Sequence, residues 1–596
     1  MLRPFTRAIL RGPILVVLIA MFTPFTLTAS TLPSTVPGQP RTVTETPGIN
    51  PNFIYSQLAS LATHFLKREA GYDNNLPPAV NGHDEFANYW TQEMLSLLGQ
   101  FGAQAHRDPF PIQGWRGRTP TVPAVNVEVT VPGAVHPEQI VVIGCHYDGM
   151  AFSTQSANDD ASGCAIELGV AQAMSEFWSK NHLYPDRTLR FVIFDAEESG
   201  LLGSYHYVNS TTNSDLQNIV AMFNEEQNGI NYPLRYLGNM SNPLMPYYID
   251  MSPLQSNRLY DLSSLTPRQQ ANISQFRQLM QQAVAAAFQQ FRAMGDQMLT
   301  YHGASGQDVW QPIFTSNQLS NIHLDDDTLG SSDQMPFTMA GLPCATLVGN
   351  STYYDHNAPA GSYPFDQPGD TLQLMNTFAD DTASQSQALT LALGLPGMIT
   401  TWMLSQPAIL GQVPADGKPI AAINSLGAAP TGQAINFMVG AAYDPAQAGA
   451  TLRYHWNFGD GASADGQSAS HAYTRAGTYI LSLTITSSHG GVRTITRPLT
   501  IGQPPAYNNP YSGYISNGMP SANPLVALPV PKNGPGDRVS SSSSISTGGQ
   551  GSIATGGAMA NPHPNPISLP GWLVIGMGIL LIAVVIIVIL RRAWRP

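Results

Sequence analysis

Four short stretches gather carboxylates around a single imidazole: Cys145-His146-Tyr147-Asp148, Asn158-Asp159-Asp160, Asp195-Ala196-Glu197-Glu198 and Asn224-Glu225-Glu226-Gln227. Acids brought that close repel one another unless cations neutralise them. A pair of divalent metal ions is the simplest answer: one carboxylate bridges ions about 3.5–4 Å apart, and a water between them becomes an effective nucleophile. The proton of that water needs a second, unligated carboxylate as general base. Adjacent Glu197 and Glu198 supply both kinds of acid, one to bind and one to stay free. In His146-x-Asp148 the carboxylate two residues on can orient the imidazole from behind. Taken singly these stretches say little. An isolated His-x-Asp reads as a surface loop, and a lone Glu-Glu as a solvated helix start.

The elements needed to position these groups are legible around them. Gln139 to Gly144, Leu189 to Phe194 and Asn218 to Phe223 are continuous apolar runs that read as buried strands, and Val125, Val127 and Val129 alternate as a further strand. Ala161 to Phe177 reads as a helix. Ile54, Leu58, Leu61 and Phe65 fall at helical spacing, and Tyr89, Met94, Leu97 and Leu98 mark a second early helix. Thr266-Pro267 opens a long Gln- and Ala-rich helix to about Met298, with proline at the favoured first position. Strands alternating with helices predict an α/β fold over 52–404: a mostly parallel mixed sheet with helices on both faces. In such sheets sites form at the C-terminal strand ends, and all four acidic stretches lie at strand ends or strand-helix joins.

In this order, HYDG, ANDDASG, DAEESGLLGS and NEEQNG resemble peptidase family M28, the co-catalytic zinc aminopeptidases. The upstream VPAVNVEVTVPG and downstream SSDQMPFTMAGLPCATL segments extend the likeness across about Asn52 to Leu404. The resemblance implies His146 as a ligand of one metal, Asp159 as the bridging carboxylate and Asp148 as the group steadying His146. It implies Glu197 as general base, Glu198 as a ligand of the second metal, and Glu226 where the family usually has a ligand aspartate. The family's last ligand is usually a histidine four residues before an Asp-Thr pair. Counting back from Asp370-Thr371, Asp366 stands there, with His356 as the alternative. A carboxylate in that place makes the second site all-oxygen, so zinc comes first while manganese, cobalt or magnesium are admitted. The implied activity is metal-dependent hydrolysis of peptide or protein substrates at a free N-terminus, although the family also contains carboxypeptidases. Two alternatives stand beside it: a degenerate domain that binds peptides or cell-wall material without cleaving, and a glutaminyl-cyclase-like enzyme. Asp333 matches a Ser-Asp pair of the family and is not taken as a ligand. Asp325-Asp326-Asp327 reads as a solvated acidic loop rather than a calcium site.

From 406 to 502 the pattern changes to short alternating strands and glycine-rich turns, the signature of a small all-β sandwich. Tyr454-His455-Trp456-Asn457-Phe458-Gly459-Asp460-Gly461, with His471-Ala472-Tyr473 and Gly477-Thr478-Tyr479, resembles a PKD domain. That resemblance implies a passive spacer, or a contact to protein or surface polysaccharide. The 503–566 stretch is rich in Pro, Asn, Gly and Ser and reads as a disordered spacer. Gly571 to Leu590 is apolar for about one bilayer thickness, and Arg591, Arg592 and Arg595 follow at once. The positive-inside bias then predicts a single-pass anchor in the cell membrane, a cytoplasmic tail at 591–596 and the bulk of the chain extracellular. Residues 1–29 read as a signal peptide and 30–51 as a linker. The net charge of −12, with basic residues clustered only at the two ends, excludes a nucleic-acid partner. Three cysteines are too few and too odd in number for a disulfide framework. Buried free thiols are expected at Cys145, Cys164 and Cys344, with a Cys145–Cys164 bridge as the alternative.

Overall fold

The computed structural model describes residues 46–70, 82–114, 118–211, 216–229, 247–298, 322–328, 332–349, 363, 366–380, 384–424 and 430–502. The expected segments 1–29, 503–566, 571–590 and 591–596, and His356, lie outside the described residues.

Eight strands make one mixed sheet: β1 (Gln104–Gly114), β2 (Arg118–Val131), β3 (His136–His146), β5 (Arg187–Phe194), β6 (Ile219–Glu226), β7 (Tyr247–Met251), β8 (Ile322–Asp326) and β9 (Cys344–Val348), in the order β1-β2-β5-β3-β6-β9-β7-β8. β5, β3, β6 and β9 are mutually parallel at its centre, while β2 joins β5 and β7 joins β9 in antiparallel fashion. The apolar runs are continuous because the central strands are buried on both faces. Side chains alternate between those faces. Val141, Ile143 and Cys145 pack in one cluster with the helices Pro51–His64, Ser162–Asn181, Pro267–Met298 and Gln387–Ser405. Ile140 and Val142 pack in the other with the helices Leu202–Ser210 and Gln334–Met339.

Local chemistry sets the helix ends. Asn50 caps the first helix by accepting the Phe53 amide, with Pro51 at the first position. Thr266 and Gln269 bond reciprocally at the start of Pro267–Met298, the helix expected there. Among the described residues, the one helix long and apolar enough to cross a membrane is Gln387–Ser405, which is buried in the core.

Two expectations are corrected. Cys145 and Cys164 form a disulfide, and only Cys344 is a buried free thiol. The pairing joins residues 19 apart that meet only once strand and helix pack, so spacing alone could not reveal it. The acidic run is not a loop, and only part of it is solvated: Asp325 and Asp326 are exposed and Asp327 is buried. Asp325 and Asp326 end β8, Asp326 pairs with Arg277 at 2.8 Å, and buried Asp327 accepts bonds from Tyr260 and Gln334.

Beyond the sheet, β10 (Gln412–Pro414) pairs with β4 (Leu183–Pro185). The chain then forms a sandwich of two antiparallel sheets. One holds β11 (Ile420–Ile423), β12 (Ala434–Tyr443) and β15 (Ser468–Ala472); the other holds β14 (Ser463–Asp465), β13 (Leu452–Asn457), β16 (Gly477–Ser487) and β17 (Val492–Ile501). Its core contains Phe437, Trp456, Tyr473, Leu481, Leu483 and Ile485. The buried polar tips are satisfied, Trp456 donating to the Gly466 carbonyl and Tyr473 to that of Phe458.

Candidate metal centre

β3 delivers His146 at its last residue, where alternation turns the imidazole away from the face that receives Cys145. The His146 Nε2 atom lies 2.9 Å from Asp159 Oδ1 and 3.8 Å from Glu226 Oε1. Nδ1 lies 3.5 Å from Asp148 Oδ1 and 3.1 Å from the Asp148 carbonyl. Asp148 is wholly buried, and its carboxylate accepts the backbone amides of Glu197 at 3.0 Å and Glu198 at 3.3 Å. It therefore ties the end of β3 to the turn after β5.

Asp159 sits in the Ala157–Ala161 turn before the helix Ser162–Asn181. Asp370 holds that turn by accepting the amides of Asn158 at 2.8 Å and Asp159 at 3.1 Å. Asp160 is not a free donor: its oxygens accept the amides of His146, Gly163 and Gln227. Gly163 is required by close approach, since a Cβ there would stand 2.1 Å from the Glu225 carbonyl oxygen and 2.5 Å from Asp160 Oδ2. Glu225 and Glu226 end β6 on opposite faces. Glu225 turns to Thr400 in the core, and Glu226 accepts Ser332 at 2.6 Å. Ala196, Gln227 and Asp366 adopt left-handed backbone, with φ of 59°, 47° and 59°. Strain of this kind gathers at functional sites.

Among the described residues, two donor groups result besides Asp160 with the bridged Cys145 and Cys164, whose sulfurs are bonded to each other. His146, Asp159 and Glu226 each offer one ligand atom, all within 4.8 Å of one another, and so do Asp159, Glu198 and Asp366. The groups share Asp159. All five side chains are buried. Glu198 Oε1 and Asp366 Oδ1 are buried oxygens with no hydrogen-bond partner among the described residues, the condition a cation between them would relieve. The donors fit divalent ions, with one imidazole and two carboxylates in the first group and oxygen alone in the second. Burial and then Asp366 and Asp159 hold the Glu198 carboxyl well above its usual range. Burial and then Asp159 do the same to Asp366. Glu197 is only partly exposed. Burial pushes its carboxyl well up, with His146 opposing and the charges of Glu226, Asp333 and Asp159 adding to the shift. Burial alone would lower the His146 imidazole, but Glu197, Asp148, Asp159 and Glu226 hold it well above its usual value.

All the residues expected at the site thus converge. Asp333 is buried nearby, its carboxyl pushed up to about 8 by burial. Sequence reasoning missed four supporting groups. Arg68 is buried and binds the carbonyls of Tyr147 at 2.8 Å and Ser156 at 2.9 Å. Gln227 donates to Asp159 Oδ2 at 3.0 Å. Ser332 holds Glu226, and Asp370 holds the Asp159 turn. Gln227 and Ser332 lay inside the quoted NEEQNG and SSDQ stretches and Asp370 in the Asp-Thr pair used for counting, but none was marked for its role, and Arg68 carried no signal.

Fold and site together define an α/β protein with a carboxylate-rich, metal-type centre at its strand ends. Residues 126–390 match the model of peptidase family M28, and residues 416–501 match that of the PKD domain. The chain therefore carries an M28 peptidase domain followed by a PKD domain. It is 32% identical over 128 residues to Aminopeptidase YwaD of Bacillus subtilis (strain 168), covering 22% of this chain and 24% of that protein. It is 43% identical over 82 residues to Vacuolar protein sorting-associated protein 70 of Saccharomyces cerevisiae, covering 14% of this chain and 10% of that protein. The chain thus spans about a quarter or less of the length of these curated relatives. The solved aminopeptidase from Aneurinibacillus sp. strain AM-1 aligns at 15% identity over 62% of this chain and 96% of that chain, with a TM-score of 0.36, a likeness too loose to carry an assignment.

Proposed function

We propose that this chain is a metal-dependent exopeptidase, an aminopeptidase that uses two divalent ions and Glu197 as general base. The observation that carries this reading is the pair of buried donor groups sharing Asp159. His146, Asp159 and Glu226 would hold one ion, and Asp159, Glu198 and Asp366 the other. Zinc suits the first set, and the all-oxygen second set also admits manganese, cobalt or magnesium. When bound, such ions polarise a scissile carbonyl and lower the pKa of water. Glu197, partly exposed beside the donors, accepts the proton of the attacking water and returns it to the leaving amine. Asp148 keeps His146 and the Glu197-Glu198 backbone in register from behind. Glu197→Gln should retain metal and lose nearly all turnover on aminoacyl reporter substrates. Turnover near the wild-type rate would remove Glu197 from the mechanism, and absence of turnover in the wild type across several metals would favour the binding-only reading. Formation of pyroglutamate would point instead to cyclase chemistry.

The proposal extends to placement. Residues 1–29 direct export, 571–590 anchor the chain in the cell membrane, and the catalytic module faces outward on the 503–566 spacer. The PKD domain lies between module and spacer and is offered as a contact to protein or surface polysaccharide. The Cys145–Cys164 bridge supports an oxidising compartment. Protease added to intact cells should remove the module while a tag after Pro596 stays protected. A protected module and an exposed tag would reverse the topology.

A further inference from the structure

The Cys145–Cys164 bridge closes the segment that carries His146, Asp148 and Asp159. Cys145 directly precedes His146 on β3, and alternation turns its side chain toward the helix Ser162–Asn181. Cys164 meets it in the first turn of that helix, and both cysteines are wholly buried. Cys164 Sγ lies 3.3 Å from the His146 carbonyl oxygen, and the neighbouring Gly163 amide holds Asp160 Oδ1 at 2.9 Å. A covalent bond therefore joins the strand end bearing the imidazole to the helix start that follows the shared carboxylate. The other ties on this segment are non-covalent, among them Arg68 on the Tyr147 and Ser156 carbonyls, Asp370 on the Asn158 and Asp159 amides, Asp148 on the Glu197 and Glu198 amides, and Gln227 on Asp159 Oδ2.

We propose that the Cys145–Cys164 bridge is a positioning element of the metal centre, and that metal retention depends on its oxidation state. This rests on the two-ion reading. Without metal, the clustered acids push one another apart. The covalent link limits how far His146 and Asp159 can separate, because it removes conformations from the segment between them. With the link open, that freedom returns, and reordering the segment is charged against metal binding. Opening by a phosphine breaks the sulfur–sulfur bond and oxidises the phosphine to its oxide. One water supplies the oxygen and the two protons that leave both cysteines as thiols.

The test uses the full chain, zinc-loaded, in detergent. The dissociation constant for zinc is measured by competition with a chelator for the wild type, for Cys145→Ala/Cys164→Ala, and for Cys344→Ala as control. Circular dichroism reports whether each is folded. The folded double variant should bind zinc about 10–100-fold more weakly, the range found when groups orienting metal ligands are lost. The Cys344 control should match the wild type. A folded double variant that melts lower yet binds zinc within about twofold of the wild type would reduce the bridge to a staple of the fold and overturn the inference. If the double variant does not fold, wild-type chain treated with phosphine and an alkylating agent decides: zinc released in step with alkylation of two new thiols supports the inference, and zinc retained after both thiols are alkylated, and so unable to bind it themselves, overturns it. Three thiols in the untreated chain would also overturn it. Oxidised chain that takes up no zinc would overturn the two-ion reading and this inference with it. Equal zinc binding by oxidised and opened chains would overturn this inference alone.

Discussion

Asp159 owes its position to groups that hold its backbone as much as to its own carboxylate. Asp370 accepts two consecutive amides from the Asp159 turn, and Tyr363 donates to Asp370 at 2.6 Å. Asp370→Asn would turn an amide NH2 toward a backbone donor and leave that donor buried and unpaired. The expected loss is about 1–3 kcal/mol of stability, read by denaturant unfolding, with weaker metal binding. Unchanged unfolding would show that Asp370 is dispensable. In the proposed centre Asp366 takes the place where the resemblance puts a histidine, so Asp366→His should shift the second site toward zinc over manganese, read by competition between the two metals. An unaltered preference would place Asp366 outside the donor set. His146, Asp159, Glu197, Glu198 and Glu226 were legible from sequence because each lies in a short motif beside an apolar strand. Arg68 was not, and Asp370 showed itself only as a counting mark and not as a holder of the Asp159 turn, because their partners lie 79 and 211 residues away and meet them only in the fold.

Strand β6 shows how an element sorts neighbouring acids. Pleating sends Glu226 into the site and Glu225 into the core, where burial, eased by the Thr400 hydroxyl, pushes its carboxyl up to about 8. A carboxyl raised in the folded state takes up a proton on folding. Its stabilising contribution is complete below the ordinary carboxylate range and is lost as pH rises toward 8. The metal-free chain should therefore melt progressively lower between pH 5 and 8. Glu225→Gln, which keeps an acceptor for Thr400, should flatten that decline, raising the melting temperature at pH 8 and changing it little at pH 5. Equal pH profiles for wild type and variant would contradict the buried-acid account. The run IVAMF announced the strand, and its end placed both glutamates near the site. It could not say which one faces inward, because one residue of register exchanges the faces. The same dependence on packing hid the cysteine pair and the burial of Asp327.

At the scale of the whole molecule, the sandwich is not strung loosely after the peptidase module. β10 returns to pair with β4, Tyr443 lies 6.0 Å from Tyr184 ring to ring, and buried Arg190 reaches the Ile423 carbonyl at 3.5 Å. A chain ending after Pro414 keeps the β4–β10 pair but strips these contacts, and should lose about 1–3 kcal/mol in the peptidase module, seen as a lower melting temperature. An unchanged melt would mean the two modules are energetically independent. Composition and turn spacing revealed the sandwich and its aromatic core. They carried no sign of its docking, which depends on single residues such as Tyr443 and Arg190 with no local motif. The claim on which the rest stands is that two ions share Asp159, and elemental analysis of the purified, metal-loaded chain tests it most directly. The account predicts two divalent ions per wild-type chain and at most one in Asp159→Asn. No bound ion in the wild type, or two in both chains, would contradict it.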